Sequence, residues 1–136
     1  MPLCLTVSGN KPAGKKHILI ADDDPSIRYM LGRVLLDEGY EVTAAADGEE
    51  GLKIAASQEI DLMLLDLKTP GMSGQDTLRA LALSRPALPV IVITAYARQQ
   101  LGGGLAGVSA VLQKPLDFFA LLATIQKLLA GAAAVE

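Results

Sequence analysis

The sequence is poor in aromatic residues, cysteine and histidine. Its 136 residues include two Phe, three Tyr and no Trp, so the hydrophobic core must be built mainly from aliphatic side chains. The single cysteine, Cys4, excludes an internal disulfide and is consistent with a reducing cytoplasm. The single histidine, His17, has no second histidine with which to form a metal site.

No stretch of the sequence has the form of a signal peptide or a membrane span. The apolar residues 3–7 are too few for a signal peptide and do not follow a basic start. The apolar stretch 118–135 is interrupted by Gln126 and Lys127 and has helical periodicity, which predicts a helix of the core. We therefore expect a cytoplasmic protein that does not contact a membrane.

The charge is unevenly distributed along the chain. The net charge is −3, but the first sixteen residues carry Lys11, Lys15 and Lys16 and no acidic residue, so the remainder holds −6. A net negative surface repels nucleic acid phosphates, so we expect no direct binding of nucleic acid by this chain.

The length and composition predict one globular domain. Half of the residues are hydrophobic (51%) and a fifth are charged (20%), which is typical of folded proteins. We expect residues 1–16 to form a flexible leader, residues 17–131 the domain and residues 132–136 a short tail. The few residues after Gly131 leave no room for an attached output domain, so the chain is either a stand-alone domain or a piece of a longer protein.

From His17 onwards, the hydrophobic pattern alternates between strands and helices. Short aliphatic runs predict strands that are buried on both faces. Alternating strands and helices form a parallel sheet, and five of each predict a doubly wound, flavodoxin-like α/β domain with helices on both faces and strand order 2-1-3-4-5. The predicted strands are residues 18–21, 40–45, 62–65, 90–93 and 110–113.

Local signals predict where the helices begin and end. Asp24 before Pro25 predicts the start of the first helix, and Gly39 its end. The sequence from Asp47 to Glu50 resembles a capping box for a second helix that reaches about Ser57. The third and the last predicted helices comprise residues 73–84 and about 117–131.

The segment in which the fourth helix is expected is rich in glycine. It contains Gly102–Gly104 and Gly107, and each glycine in a helix costs about 0.5–1 kcal/mol relative to alanine. We therefore expect the fourth helix to be short or irregular.

Polar residues follow four of the predicted strands. Asp22 and Asp23 follow the first strand, Asp66 the third, Thr94 the fourth and Lys114 the fifth. In the predicted strand order these strands are consecutive neighbours, about 4.8 Å apart. The sequence therefore predicts that these side chains converge at the carboxyl edge of the sheet, where ligands bind in open α/β folds.

This set of residues predicts phosphoryl transfer. Three adjacent carboxylates repel one another unless a hard cation such as Mg²⁺ is bound. Asp23 would bind the ion directly with Asp22 behind it, and Asp66 would attack phosphorus as the nucleophile. Lys114 would supply a positive charge and Thr94 a hydroxyl group to the phosphoryl oxygens.

Taken together, these segments resemble the receiver domain of bacterial two-component response regulators over about residues 17–131. The residues that carry the resemblance are Ile18 to Pro25, Asp66 with residues 70–74, Thr94 with Ala95, and Lys114 with Pro115.

The resemblance implies that Asp66 is phosphorylated by a sensor histidine kinase or a phosphotransfer protein, with Mg²⁺, and then slowly loses the group. It also implies that the main-chain carbonyl of Lys68 completes the magnesium shell. The side chains of Lys68, Ala95 and Tyr96 would modulate the site. Such a domain catalyses only its own phosphorylation and dephosphorylation, so we expect no enzyme of the ordinary kind, and an unknown protein as its downstream target.

The sequence departs from the family pattern at two places. Family members usually have Tyr or Phe three residues before the lysine, where this chain has Val111, and the glycine-rich segment is two residues shorter than usual. The usual coupling of Thr94 to a rotating ring is therefore unavailable. We expect instead that phosphorylation orders residues 97–107.

Two other classes of protein share some of these features. Asp22 to Asp24, followed later by Thr94 and Lys114, resembles the motif order of haloacid-dehalogenase-like phosphatases. That family needs a further acidic pair, and only Asp117 and Glu136 remain. A flavin-binding flavodoxin relative is disfavoured, because three aspartates at the phosphate loop would repel the flavin phosphate.

Overall fold

The computed structural model of the protein describes residues 15–67, 72–95 and 108–134, with backbone only for residues 72–75 and 130–134. These ranges contain five strands and four helices. In chain order the elements are β1 (His17–Ala21), α1 (Pro25–Asp37), β2 (Glu41–Ala45), α2 (Gly48–Ser57), β3 (Leu62–Leu67), α3 (Met72–Ser84), β4 (Val90–Thr94), β5 (Ala110–Gln113) and α4 (Phe118–Ala134).

The strands form one parallel sheet in the order β2-β1-β3-β4-β5. This is the predicted order, and it makes β1 and β3 neighbours although a strand and two helices separate them in the chain. Ala21 at the end of β1 lies opposite Leu65 of β3, so the residues that follow these two positions lie side by side. The fold class predicted from the sequence is confirmed.

Alternate residues of β1 enter two separate hydrophobic cores. Ile18 and Ile20 pack on the face that is covered by α1 and α4, whereas Leu19 and Ala21 pack on the face that is covered by α2 and α3. In the described residues, every buried hydrophobic side chain is Ala, Val, Leu, Ile or Met, as the shortage of aromatic residues predicts.

The predicted caps fix the starts of the helices. Asp24 accepts a hydrogen bond from the amide of Ser26 at 2.9 Å, at the start of α1. Asp47 accepts one from the amide of Glu50 at 2.8 Å, and Glu50 accepts one from the amide of Ala46 at 2.7 Å, which together close a reciprocal cap on α2. Asp24 and Asp47 satisfy first-turn amides that have no partner within the helix, and Glu50 fixes the chain just before the cap of α2.

Gly39 ends the first helix region by adopting a left-handed conformation with φ of 94°. Residues other than glycine rarely adopt this conformation, so the predicted role of Gly39 as a stop signal is confirmed.

Two predicted ends are wrong. The third strand was predicted to end at Leu65, but β3 continues to Leu67, because Asp66 and Leu67 stay paired with Ile93 and Thr94 of β4. The last helix was predicted to end at Gly131, but α4 continues to Ala134. Glycine is tolerated there because the neighbouring alanines favour a helix.

Several expectations concern residues outside the described ranges. They are the leader up to residue 14, the contributions of Lys68 and Tyr96, and the fourth helix with residues 97–107. Among the helices of the described ranges, none combines the length and the hydropathy needed to cross a bilayer.

Arg85 joins the end of α3 to α2. Its Nη1 donates to the carbonyl of Ala55, and its Nη2 donates to the carbonyl of Ile60 at 3.3 Å. The guanidinium thus supplies donors for one carbonyl in the last turn of α2, where helix carbonyls lack partners within the helix, and for one carbonyl in the loop that follows.

Replacing Arg85 by methionine should lower the free energy of unfolding by about 1–3 kcal/mol, because part-buried carbonyls lose their donors. The matched control is Arg79→Met on α3, whose ion pair with Asp76 at 3.0 Å is exposed and should contribute less than about 1 kcal/mol. Chemical denaturation measures both. Equal losses in the two variants would contradict the structural role of Arg85.

Candidate functional site

An acidic cluster lies at the carboxyl edge of the sheet. Asp22, Asp23 and Asp66 each place one carboxylate oxygen within 4.8 Å of the others. Asp22 and Asp23 directly follow β1, and Asp66 is the last residue but one of β3, the neighbouring strand. Since these two strands pair in parallel, the cluster is a direct consequence of the strand order.

Asp22 is held firmly and is almost completely buried. Its residue is 3% exposed, its amide donates to the carbonyl of Ala45 at 3.1 Å, and its Oδ1 accepts from the amide of Asp24 at 2.9 Å. Its second carboxylate oxygen, Oδ2, is buried and has no hydrogen-bond partner among the residues that the structure describes.

Asp66 pairs with Lys114. The Nζ atom of Lys114 lies 3.1 Å from Oδ1 of Asp66, whose side chain is only 3% exposed. The other oxygen of Asp66, Oδ2, is buried like that of Asp22 and lacks a hydrogen-bond partner within the described ranges. The ammonium group therefore balances only part of the negative charge of the cluster.

The ends of β4 and β5 position Lys114. The lysine follows Gln113, which lies opposite Thr94 in the sheet, and its amide donates to the carbonyl of Thr94 at 2.7 Å. The peptide bond between Lys114 and Pro115 is cis. Thr94 itself is fully buried at the end of β4, opposite Leu67 and one step along the ladder from Asp66.

Burial is the main influence on the ionisation of Asp22. Removal from water raises the pKa of Asp22, and the negative charges of Asp66 and Asp23 raise it further. The hydrogen bond from the Asp24 amide and the charge of Lys114 act in the opposite direction, but they do not cancel the rise. An ionised Asp22 is therefore costly unless a further positive charge is present.

The cluster fits a hard divalent cation. Among the residues that the structure describes, three carboxylates face the ammonium group of Lys114, and two of them keep a buried oxygen without a donor. Carboxylate oxygens are the ligands that Mg²⁺ and Ca²⁺ prefer, and a divalent charge would offset the remaining repulsion.

The structure brings together most of the residues singled out from the sequence. Asp22, Asp23, Asp66 and Lys114 share one site, and Thr94 ends the strand beside it. Ala95 is exposed just after β4. Asp24 is a helix cap, as predicted, and Lys68 and Tyr96 lie outside the described ranges.

Sequence reasoning missed one residue that touches this site. Arg28 of α1 donates from Nη1 to the carbonyl of Asp22 at 2.7 Å. The available signal was its position four residues after the helix cap Asp24, which directs a side chain back towards the start of the helix.

Comparison with known proteins identifies relatives over most of the chain. The family model described as response regulator receiver domain matches residues 18–126. The transcriptional regulatory protein GlrR of Escherichia coli (strain K12) is 36% identical over 118 residues, which are 85% of this chain and 26% of that protein. Protein PilH of Pseudomonas aeruginosa is 35% identical over 119 residues, which are 85% of this chain and 98% of PilH. The chain thus spans about a quarter of GlrR but nearly all of PilH.

The chain is also similar to solved structures of response regulators. A CheY-like receiver domain protein from Methanospirillum hungatei superimposes with a TM-score of 0.81 at 35% identity, over 90% of this chain and 99% of that one. TrrA of Thermotoga maritima, solved with Mg²⁺ and BeF, has a TM-score of 0.75 at 34% identity, over 83% of this chain and 98% of TrrA. TrrA has also been solved in complex with the histidine kinase ThkA, again with a TM-score of 0.75.

In metal-free buffer at neutral pH, Asp22→Asn should raise the free energy of unfolding by about 1–2 kcal/mol, because it removes a buried charge. The folded pKa of Asp22 lies above the ordinary value of 3.8, so its favourable contribution is complete below that pH. The contribution is lost as the pH rises through the raised folded pKa. The difference between variant and parent should therefore be small near pH 3.8 and should grow towards neutrality.

Denaturant unfolding at a series of pH values measures this difference. Asp23→Asn is the matched control, because Asp23 is exposed and its charge costs less. An Asp22→Asn variant that is less stable than the parent at neutral pH would contradict the prediction.

Proposed function

This chain belongs to the response regulator receiver domain family, whose members act in phosphorelay signalling, and we propose that it accepts a phosphoryl group on Asp66. The observation that carries the proposal is the ion pair between Asp66 and Lys114 beside two further aspartates. Asp66 is buried, is paired on one oxygen and has no partner for the other within residues 15–67, 72–95 and 108–134, which is an arrangement suited to an incoming electrophile.

The proposed reaction begins with a phosphohistidine of a donor protein. One carboxylate oxygen of Asp66 attacks phosphorus in line, and the bond from phosphorus to the imidazole nitrogen breaks. The electron pair of that bond stays on the nitrogen, and the ring, protonated at its other nitrogen, leaves as neutral imidazole. Positioning and charge neutralisation supply most of the catalysis in such transfers.

The side chains around Asp66 have separate roles in this proposal. Lys114 moves from its ion pair to a phosphoryl oxygen, over a distance that its flexible stem permits. The hydroxyl of Thr94 donates to a second phosphoryl oxygen. Asp22 and Asp23 do not react. Their carboxylates would keep a divalent cation next to the phosphoryl acceptor, Asp66.

We propose that Mg²⁺ is the divalent cation of the site. Asp23 and Asp66 would bind it directly, Asp22 would lie behind them, and the main-chain carbonyl of Lys68 would complete the set. The ion would lower the negative potential that otherwise repels a phosphoryl group. TrrA, with 34% identity, carries Mg²⁺ and BeF in its crystal structure, which supports this choice.

The proposed partners are a phosphoryl donor and a downstream protein. The donor is a sensor histidine kinase or a phosphotransfer protein. The structure of TrrA, a structural relative of this chain, in complex with the histidine kinase ThkA supports this choice. The phosphorylated domain would bind a different protein from the one that the unmodified domain binds. We assign this activity to residues 17–134, because α4 continues to Ala134, with residues 1–16 as a leader, and we place it in the cytoplasm.

A phosphatase that acts on small esters is the second candidate, and one contact disfavours it. Such an enzyme needs a further acidic metal ligand after Lys114, and Asp117 is the acidic residue at hand. Its Oδ1 instead accepts from the amides of Phe119 at 2.9 Å and Ala120 at 3.3 Å, as the cap of α4. Hydrolysis in the proposed function is restricted to the slow loss of the group from Asp66.

Incubation with acetyl phosphate and Mg²⁺ should add one phosphoryl group to the parent protein, and intact mass spectrometry measures the gain. Asp66→Ala should show none, whereas Asp76→Ala, which removes an exposed aspartate of α3, should be modified like the parent. Chelation of divalent ions should abolish the gain. Modification of the Asp66→Ala variant, or no modification of the parent, would contradict the proposed function.

Lys114→Met should slow phosphorylation by about 100-fold at saturating Mg²⁺, because it removes a preorganised charge from the developing phosphoryl oxygens. The matched control is Lys127→Met on the exposed part of α4, which removes the same charge away from the site. An equal slowing of phosphorylation in the two variants, relative to the parent, would show that net charge governs the rate. The position of the ammonium group would then not matter.

A further inference from the structure

We propose that Arg28 is a positioning residue which fixes the peptide between Asp22 and Asp23 and thereby raises the affinity of the acidic cluster for a divalent cation. This inference rests on the proposed function. It concerns a side chain that lies on α1 and was not among the residues singled out from the sequence.

Arg28 reaches back from the first turn of α1 to Asp22, in the turn between β1 and α1. Its amide donates to the carbonyl of Asp24 at 3.0 Å, which is the first hydrogen bond of the helix. Its Nη1 donates to the carbonyl of Asp22 at 2.7 Å, and the contact is partly buried. Arg28 is therefore held by its main chain at Asp24 and by its guanidinium at Asp22.

The peptide group explains why this contact matters for two carboxylates. The carbonyl of Asp22 and the amide nitrogen of Asp23 belong to one planar unit. Fixing that carbonyl therefore fixes the plane from which both side chains leave the main chain. An arginine that binds the main-chain carbonyl can in this way set the direction of both carboxylates.

Arg28 completes a set of three anchors on Asp22. The amide of Asp22 is held by Ala45 of β2, its Oδ1 by the amide of Asp24, and its carbonyl by Arg28. The buried Oδ2 lies outside this set and has no hydrogen-bond partner in the described part of the chain. The anchors thus leave one oxygen of Asp22 directed at the site, as a metal site requires of its supporting residues.

Charge alone predicts the opposite effect of Arg28. A guanidinium near the cluster repels a cation, so its removal should strengthen cation binding if only Coulomb forces act. If Arg28 positions the carboxylates, its removal should weaken binding. The sign of the change therefore separates the two possibilities.

Titration of the ¹⁵N-labelled full chain with Mg²⁺, followed by amide chemical shifts, measures the affinity directly. Arg28→Gln should bind Mg²⁺ about tenfold more weakly than the parent, which is typical of losses at supporting residues of metal sites. Arg33→Gln, on the same helix at an exposed position, removes the same charge and should stay close to the parent. Arg28→Lys should be intermediate, because lysine keeps the charge and one donor but not the fixed geometry.

A second measurement distinguishes positioning from contact with the substrate. At saturating Mg²⁺, Arg28→Gln should be phosphorylated by acetyl phosphate at nearly the rate of the parent, because its defect lies in cation affinity. A rate that stays low at saturation would mean that Arg28 acts on the phosphoryl group, and would overturn the inference.

The outcomes separate this inference from the proposed function. A parent protein that does not bind Mg²⁺ would contradict the proposed function itself. Binding by the parent, with equal or tighter binding by Arg28→Gln, would overturn only the role of Arg28. If denaturant unfolding shows that Arg28→Gln does not fold, Arg28→Lys decides, and an affinity equal to that of the parent overturns the inference.

Discussion

The site depends on a cluster of negative charges at the carboxyl edge of the sheet that Lys114 neutralises only in part. In the part of the chain that the structure describes, three carboxylates meet there with the ammonium group of Lys114, 3.1 Å from Asp66, and burial raises the pKa of Asp22. Such a set is costly in a folded protein unless the surrounding chain holds it in place. The parallel strands hold it in place. Asp66 pairs with Ile93 of β4, and Asp22 and Lys114 each directly follow the last paired residue of their strands.

The fold could be predicted because local and long-range signals agree. Short aliphatic runs define the strands, and Asp24 and Asp47 cap the helices that follow two of them. The strand ends could not be predicted as well, because they depend on pairing across the sheet. Asp66 looks like the start of a loop by composition, but its partner Ile93 and the next pair, Leu67 with Thr94, keep it in β3.

The site could be predicted because its residues follow directly from the predicted strand order. Asp22, Asp66 and Lys114 follow from the rule that parallel strands end at a common edge, and the fold brings them into contact. The position of Arg28 after the cap Asp24 indicates that its side chain points back towards the start of α1, but not which group it contacts. Its contact joins a side chain to a carbonyl six residues earlier. That contact depends on the angle at which α1 leaves the sheet, and neither composition nor periodicity encodes that angle.

The single histidine lies at the far edge of the sheet from this site. His17 is the first residue of β1, its ring nitrogen Nε2 lies 2.6 Å from the hydroxyl oxygen of Thr43, and the residue is 6% exposed. The rise of a strand places it roughly 16 Å from Asp22. If Asp66 accepts a phosphoryl group as proposed, this imidazole is too distant and too buried to take it over within the domain. Onward transfer to a histidine would then require a second protein molecule, and hydrolysis would require only water.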